Sequence, residues 1–155
     1  MITQNTALFT IFGATGDLAH RKLYPSLFRL YKKGFIKDNF AVIGTARRDW
    51  TDEYFREVVL DSIKDLTEDK EDALSFAAHF YYIAHNVNDS EQYIKLKVLS
   101  ESLDAKYSLS GNRIFYLAMS PEFFGIIAEK LKEQKLITAD GFNRLIIEKP
   151  FGRDF

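Results

Sequence analysis

The sequence contains no cysteine and only three prolines in 155 residues. Without cysteine the chain has no disulfides, thiolate metal ligands or cysteine nucleophile, which fits a reducing cytosol. No apolar run approaches the roughly 18 residues that a bilayer span requires. Residues 1–6 also lack the basic region that begins a secretory signal. We therefore expect a soluble cytoplasmic domain with no membrane partner.

A strong charge of either sign is also missing. The 21 lysines and arginines and the 22 acidic residues give a formal net charge of −1, so no overall basic field would attract nucleic acid. Any anion site must therefore be local. No carboxylate or second histidine stands at metal-ligand spacing from His20, His79 or His85, so we expect no metal site and assign these histidines core or surface roles.

Five short segments rich in β-branched and aromatic residues indicate strands, at 8–12, 40–45, 80–84, 113–119 and 144–148. Several are apolar almost throughout, which is typical of strands covered on both faces of a parallel sheet. The gaps between them, of about 25 to 35 residues, hold apolar side chains at helical spacing and are long enough for crossover helices. The sequence thus predicts a βαβαβαβαβ order: a three-layer α/β fold with a Rossmann-like, doubly wound parallel sheet.

Local signals predict several helix ends. Pro25 is expected in a first helical turn, because its missing N–H is not needed there. Gly34 is expected just past the end of the same helix, and Thr51 is expected to cap the next one. In doubly wound sheets, ligands bind beyond the carboxyl ends of the strands, so residues that directly follow strands are the first candidates for function.

A glycine-containing turn follows the first predicted strand, with the sequence GATGDL at 13–18. Gly13 and Gly16 permit positive φ and a close approach of backbone to a pyrophosphate, and the N–H groups at the helix start favour its charge. Thr15 adds a hydroxyl. Asp17 has the wrong charge to touch phosphate, so we expect it to cap the helix or fix the turn. Because the complete fingerprint is Gly-x-Gly-x-x-Gly, an ordinary βα turn is the alternative.

Two arginines follow the second strand, where NAD-binding folds place an acidic residue on the adenosine ribose. Arg47 and Arg48 present paired donors that match the 2′-phosphate of NADP. Hydrogen bonds to charged groups contribute about 1.5 to 3 kcal/mol each, enough to favour NADP over NAD. The alternative is a surface ion pair between one of these arginines and Asp49.

Four motifs in order resemble the N-terminal coenzyme domain of glucose-6-phosphate dehydrogenase: GATGDLAHRKLYP at 13–25, GTARR at 44–48, NRIFY at 112–116 and IEKPFG at 147–152. The similarity extends over essentially the whole chain. Enzymes of this family oxidise glucose 6-phosphate to 6-phosphogluconolactone in the pentose phosphate pathway, with NADP or, in some bacterial members, also NAD. The resemblance implies the same carbohydrate metabolism and coenzyme here.

The resemblance also implies roles for individual residues. Lys22 would stand near the reacting centre, Lys149 would contact substrate and nicotinamide, and Pro150 would hinge the coenzyme and substrate domains. Asn86 stands where many bacterial relatives have Asp, and His20 where relatives often have Lys. The residues implied to bind coenzyme are Gly13, Ala14, Thr15, Gly16, Asp17, Leu18, Arg47, Arg48, Asn86, Val87 and Lys149.

The family's catalytic histidine segment and its large substrate domain are absent from residues 1–155. We therefore interpret the chain as an NADP-binding domain with no catalytic residue of its own, expected to be inactive alone. Removing a positioned base typically lowers a rate by about 100- to 10,000-fold. A homo-oligomer is expected only with the missing domain. Two alternatives are a domain of the glucose-fructose oxidoreductase type, which also has Glu-Lys-Pro after its fifth strand, and a stand-alone NADP-sensing module.

Overall fold

The computed structural model describes residues 6–139 and 141–147. Strands and helices alternate along this part of the chain. Their order is β1 (Ala7–Phe12), α1 (Tyr24–Lys32), β2 (Phe40–Ala46), α2 (Asp52–Ile63), α3 (Lys70–Ala77), β3 (Phe80–Ala84), α4 (Ser90–Tyr107), β4 (Arg113–Leu117), α5 (Phe124–Glu133) and β5 (Asn143–Ile147). No helix in these ranges is long and apolar enough to cross a bilayer.

The five strands form one parallel sheet in the order β3-β2-β1-β4-β5. Strand order reverses on either side of β1, because the chain leaves β1 towards β2 and β3 and then returns to pair β4 on its other edge. This reversal opens a crevice at the carboxyl ends of the strands, where ligands bind in such folds. The predicted doubly wound α/β sheet is confirmed.

Each face of the sheet has its own hydrophobic core. On the face covered by α1, α2 and α3, the core combines aliphatic and aromatic side chains, and rings from all three helices meet Phe80 of β3 edge to face. On the other face, α4 and α5 pack against β1, β2 and β4 in a mainly aliphatic core that also holds Phe12, Tyr93 and Phe115. Both faces of the central strands are therefore dry, which explains why β2 is apolar almost throughout.

Two predicted helix ends are confirmed. The Thr51 hydroxyl accepts a hydrogen bond of 3.0 Å from the Tyr54 N–H, capping α2. Gly34 follows α1 with φ +83°, the left-handed conformation that ends helices.

Pro25 lies in the first turn of α1, as predicted. Helical backbone nevertheless begins eight residues earlier, at Asp17, and continues into α1. A π-helical turn, Ala19–Leu23, precedes α1, and the Tyr24 N–H donates to the Ala19 carbonyl five residues back. Proline has no N–H and its ring crowds the carbonyl four residues back in an α-helix. The wider π turn directly before Pro25 accommodates both effects.

Candidate functional site

The turn after β1 is held against the end of β2. The N–H groups of Gly13 and Ala14 both donate to the Thr45 carbonyl, at 2.9 and 3.2 Å. Gly13 has φ +93°, and a Cβ there would lie 2.3 Å from the Ala118 carbonyl oxygen. Only glycine fits, because both the conformation and the contact exclude a side chain. The structure thus supports the conformational role predicted for Gly13, the first of the two glycines in this turn.

The positive φ predicted for Gly16 is wrong. Its backbone lies outside the left-handed region, and its N–H donates to the Gly13 carbonyl at 3.1 Å. Gly16 is exposed at the outer side of the turn, so the lack of a side chain leaves the backbone open to a ligand. Gly16 therefore leaves room for a ligand and does not supply a left-handed backbone conformation.

Several peptide N–H groups at the start of the helical run have no internal acceptor. Those of Thr15, Asp17 and Leu18 donate to no residue in the described ranges. Because a helix start carries partial positive charge, such groups form a site for an anion such as phosphate. The predicted capping role of Asp17 is not observed: its carboxylate instead accepts a 2.6 Å hydrogen bond from Arg21 Nε.

A buried tyrosine supports the turn from below. The Tyr24 hydroxyl donates a 2.6 Å hydrogen bond to the Ala14 carbonyl, and the Tyr24 side chain is fully buried. Burial raises the pKa of Tyr24 well above its usual value, so the phenol keeps the proton that this bond requires. The π turn therefore has a structural consequence: it directs α1 so that Tyr24 reaches back ten residues to the turn.

Arg47 and Arg48 lie just past β2, and both are exposed. Neither forms an ion pair with any residue that the structure describes, so the alternative pairing with Asp49 is not observed. The backbone at this point is fixed from β3. The Tyr82 hydroxyl donates to the carbonyls of Ala46 and Arg48, at 3.2 and 2.5 Å. Both guanidinium groups are thus available to an anion while their backbone is held.

Asn86 and Val87 follow β3 and line the same crevice. The Asn86 side-chain oxygen accepts a 3.0 Å hydrogen bond from the Asn88 N–H, as an aspartate oxygen would. The Asn86 N–H donates to Gln92 Oε1 at 2.5 Å, and the Val87 carbonyl accepts from the Tyr93 hydroxyl at 2.8 Å. Asparagine therefore preserves the turn that an aspartate at this position would form.

A cavity of about 270 Å³ lies where these turns converge. Its walls come from the ends of β1, β2 and β3 and from the segment after β4. They combine apolar side chains with polar and charged ones, a mixture that suits a small-molecule site. The lining residues are Phe12, Gly13, Thr15, Thr45, Ala46, Arg47, Arg48, His85, Asn86, Val87, Asn88, Met119 and Phe123.

Thr45 and His85 line the cavity with buried polar atoms, and the sequence did not identify them as binding residues. The Thr45 hydroxyl and both His85 ring nitrogens are shielded from solvent and have no hydrogen-bond partner in the described parts of the chain. Their position in the sequence could have identified them, since each stands at, or directly after, the carboxyl end of a predicted strand. Within 6–139 and 141–147, no group of three potential metal ligands is present.

Of the two lysines assigned to the substrate, the structure describes only Lys22, and Lys22 does not line this cavity. Lys22 lies in the π turn, exposed and outside the cavity lining. Lys149 and Pro150 lie outside the described residues. The buried, unpartnered polar groups and the open N–H groups nevertheless fit a dinucleotide, which brings phosphates, hydroxyls and a purine to the same edge of the sheet.

Comparisons with known proteins agree with this geometry. Residues 10–155 match the family described as glucose-6-phosphate dehydrogenase, NAD binding domain. The chain is 57% identical to glucose-6-phosphate 1-dehydrogenase of Streptococcus pneumoniae over 96% of its own length, and 50% identical to that of Leuconostoc mesenteroides over its full length. A solved glucose-6-phosphate dehydrogenase in complex with its substrate glucose 6-phosphate superposes on 99% of the chain, with a TM-score of 0.85 and 36% identity.

The chain spans only about a third of these proteins: 30% and 32% of the two relatives, and 32% of the solved structure. The matched part begins with the strand that carries the glycine turn and includes the arginines after β2 and the asparagine after β3. Fold, turn and sequence all indicate a site for a nicotinamide dinucleotide. The chain belongs to the glucose-6-phosphate dehydrogenase family, as its N-terminal NAD(P)-binding domain.

Proposed function

We propose that this domain binds NADP, with NAD as a possible second coenzyme, on behalf of a glucose-6-phosphate dehydrogenase. The observation that carries the proposal is the pair Arg47 and Arg48, exposed and without an ion pair among the described residues, beside the open N–H groups of the turn after β1. The turn suits the pyrophosphate, and a guanidinium beside it suits the 2′-phosphate that distinguishes NADP from NAD.

Within this proposal each turn contacts a different part of the coenzyme. Residues 13–18 contact the pyrophosphate, Arg47 with Arg48 contacts the 2′-phosphate, and Asn86 with Val87 contacts the coenzyme from the turn after β3. Lys149 reaches the nicotinamide and the sugar phosphate from beyond the described residues, and Lys22 approaches the substrate. The support for the first three groups is that members of each line one cavity: Gly13 and Thr15, Arg47 and Arg48, and Asn86 and Val87.

We further propose that the whole protein oxidises glucose 6-phosphate, and that residues 1–155 alone do not. Hydride leaves the sugar carbon for the nicotinamide as a base takes the hydroxyl proton. No catalytic residue for that proton transfer is assigned within this chain. β5 exposes Leu145, Ile146 and Ile147 to 42%, 39% and 49%, an apolar edge that suits coverage by the rest of a protein three times as long. We assign oligomer formation to the rest of the protein. We assign the whole protein to the cytoplasm.

The coenzyme assignment is tested by calorimetric titration of the purified chain with NADP and NAD. Arg47→Ala should weaken NADP about 10- to 100-fold and NAD much less, because only NADP carries the phosphate that the guanidinium contacts. Arg29→Ala is the matched control, since Arg29 is an exposed arginine on α1 away from the cavity. Equal losses for both coenzymes would refute the assignment of Arg47, and no binding by the wild-type chain would refute the proposed function.

A further inference from the structure

Two polar side chains that no site assignment uses are buried in the cavity. Thr45 and His85 are 1% and 2% exposed, and neither the Thr45 hydroxyl nor either His85 ring nitrogen has a partner among the described residues. Leaving a buried donor or acceptor unpaired is costly, and most such groups in folded proteins are paired. An unexplained cost at the lining of a ligand cavity indicates that the missing partner is the ligand.

The two side chains are neighbours in the sheet. Thr45 pairs with Ile83 across β2 and β3, and the His85 N–H donates to the carbonyl of Ala46, the residue after Thr45. Alternation along a strand places Thr45, Ile83 and His85 on one face, the face covered by α4. The cavity therefore has two adjacent polar positions in a lining that also includes the apolar side chains of Phe12, Val87, Met119 and Phe123.

His85 is held by ring contacts rather than by hydrogen bonds. Its imidazole meets the rings of Phe12 and Tyr93 edge to face, with centroids 5.9 and 4.4 Å away. Burial lowers the pKa of His85 to about 4, the nearby Asp89 opposing this only in part, so the ring is neutral at physiological pH. A neutral imidazole has one donor and one acceptor. Turning either towards a ligand breaks no existing hydrogen bond.

We infer that Thr45 and His85 are further binding residues that contact the adenosine half of the coenzyme from below. The inference rests on the proposed function and extends it. Arg47, which contacts the 2′-phosphate under the proposed function, lies two residues past Thr45. The part of the coenzyme beside Thr45 and His85 is therefore the adenosine that carries this phosphate. Purine ring nitrogens accept hydrogen bonds and the exocyclic amine donates one, which a hydroxyl and a neutral imidazole can both satisfy. The apolar walls suit the faces of a purine.

Substitutions of matched shape test the inference. Thr45→Val and His85→Phe remove the polar atoms and largely keep the volume. Each should weaken NADP, NAD and 2′,5′-ADP by similar factors of about 3 to 10, the loss of one ordinary hydrogen bond. Thr10→Val is the matched control: the Thr10 hydroxyl is equally buried and unpartnered, but it lies outside the cavity lining, so affinity should not change.

Thermal unfolding of the ligand-free variants separates binding from a structural role. All three variants should melt at or above the wild-type temperature, because each loses a buried unpaired polar group. Lower affinity without lower stability is the expected pattern for Thr45→Val and His85→Phe. Wild-type affinity in both, with Arg47→Ala still selective against NADP, would overturn the inference and leave the proposed function standing. A loss limited to NADP would also overturn it.

Nitrogen NMR of the wild-type chain tests the inference for His85 without requiring any variant to fold. The imidazole nitrogens of the three histidines are separate probes, and His20 and His79 already have partners in Asp61 and the Phe40 carbonyl. Saturating 2′,5′-ADP should shift the ring nitrogen signals of His85 and leave those of His20 and His79 in place. Unchanged His85 signals in a chain that binds the ligand would overturn the assignment of His85.

Discussion

The hydroxyl of Tyr82 donates a 2.5 Å hydrogen bond to the carbonyl oxygen of Arg48. The two residues are 34 positions apart, and the same hydroxyl also reaches the Ala46 carbonyl at 3.2 Å. In turn, the Tyr82 N–H donates to Asp52 Oδ1 at 2.7 Å, which joins β3 to the start of α2. The backbone on both sides of Arg47 is thus fixed from the neighbouring strand, although its guanidinium is exposed.

Tyr82→Phe should therefore affect NADP more than NAD. Removing the hydroxyl leaves two carbonyls without this donor and loosens the segment that carries Arg47. We expect NADP affinity to fall about 3- to 10-fold and the free energy of unfolding to fall by about 1 kcal/mol. Calorimetry and urea unfolding measure the two effects. Tyr54→Phe is the control, because Tyr54 is half exposed and meets Trp50 through its ring. Unchanged NADP binding in Tyr82→Phe would show that the segment holds without the phenol.

Gly13 and Gly125 predict opposite effects of the same substitution. Gly13→Ala would place a methyl group 2.3 Å from the Ala118 carbonyl oxygen in a left-handed conformation, so unfolding free energy should fall by at least about 2 kcal/mol and coenzyme binding should be lost. Gly125 lies in α5 with open space around it, so Gly125→Ala should be neutral or stabilising by up to about 1 kcal/mol. Similar melting temperatures for the two variants would contradict the geometry at Gly13.

His85 predicts a pH dependence of stability. Burial lowers its pKa in the folded chain from 6.5 to about 4. Between these values the unfolded chain binds the additional proton, so this group makes stability fall as pH falls from about 6.5 to 4 and has no effect above that range. A pKa shift of that size corresponds to a change of about 3 kcal/mol at most in the free energy of unfolding. Urea unfolding of wild type and His85→Phe at several pH values measures it. The stability difference should favour His85→Phe increasingly towards pH 4, and a constant difference would contradict the shift.

The ion pair between Arg113 and Asp104 should contribute more than those on the surface. Arg113 is 4% exposed, its Nη1 donates to Asp104 Oδ2 at 2.6 Å, and the same oxygen accepts from the Gly111 N–H. Asp104→Asn leaves a buried guanidinium uncompensated, so we expect the free energy of unfolding to fall by about 3 kcal/mol.

The matched control for that pair is Lys64→Ala. Lys64 pairs with Asp61 at 3.2 Å, but both side chains are more than half exposed. Exposed pairs contribute about 0 to 1 kcal/mol, so this variant should melt close to the wild type. Equal losses in Asp104→Asn and Lys64→Ala would show that burial does not strengthen the pair between α4 and β4.

Features set by neighbouring residues along the chain were predictable. The five strands were located to within two residues at either end, because buried parallel strands are short apolar runs separated by crossover lengths. Thr51 caps α2 and Gly34 follows α1 for reasons that depend only on local backbone. The turn at Gly13 and the arginines after β2 were also visible, since strand order brings the carboxyl ends of β1, β2 and β3 to one edge.

Two features of the first helical run were not predicted. A π turn precedes Pro25, and no local signal predicts this turn or the bond that Tyr24, directly after it, donates to Ala14. Asp17 pairs with Arg21 rather than capping, a choice between two nearby partners that helix position decides.

The sequence by itself determined the parallel sheet, the glycine turn and the charge available for a phosphate, because each follows from residue type and spacing over a few positions. Only the tertiary structure decided that Tyr82 holds the Arg48 backbone and that Thr45 and His85 are buried together without partners. Those relationships depend on register between strands and on which atoms are shielded from water, and neither quantity exists until the sheet is assembled.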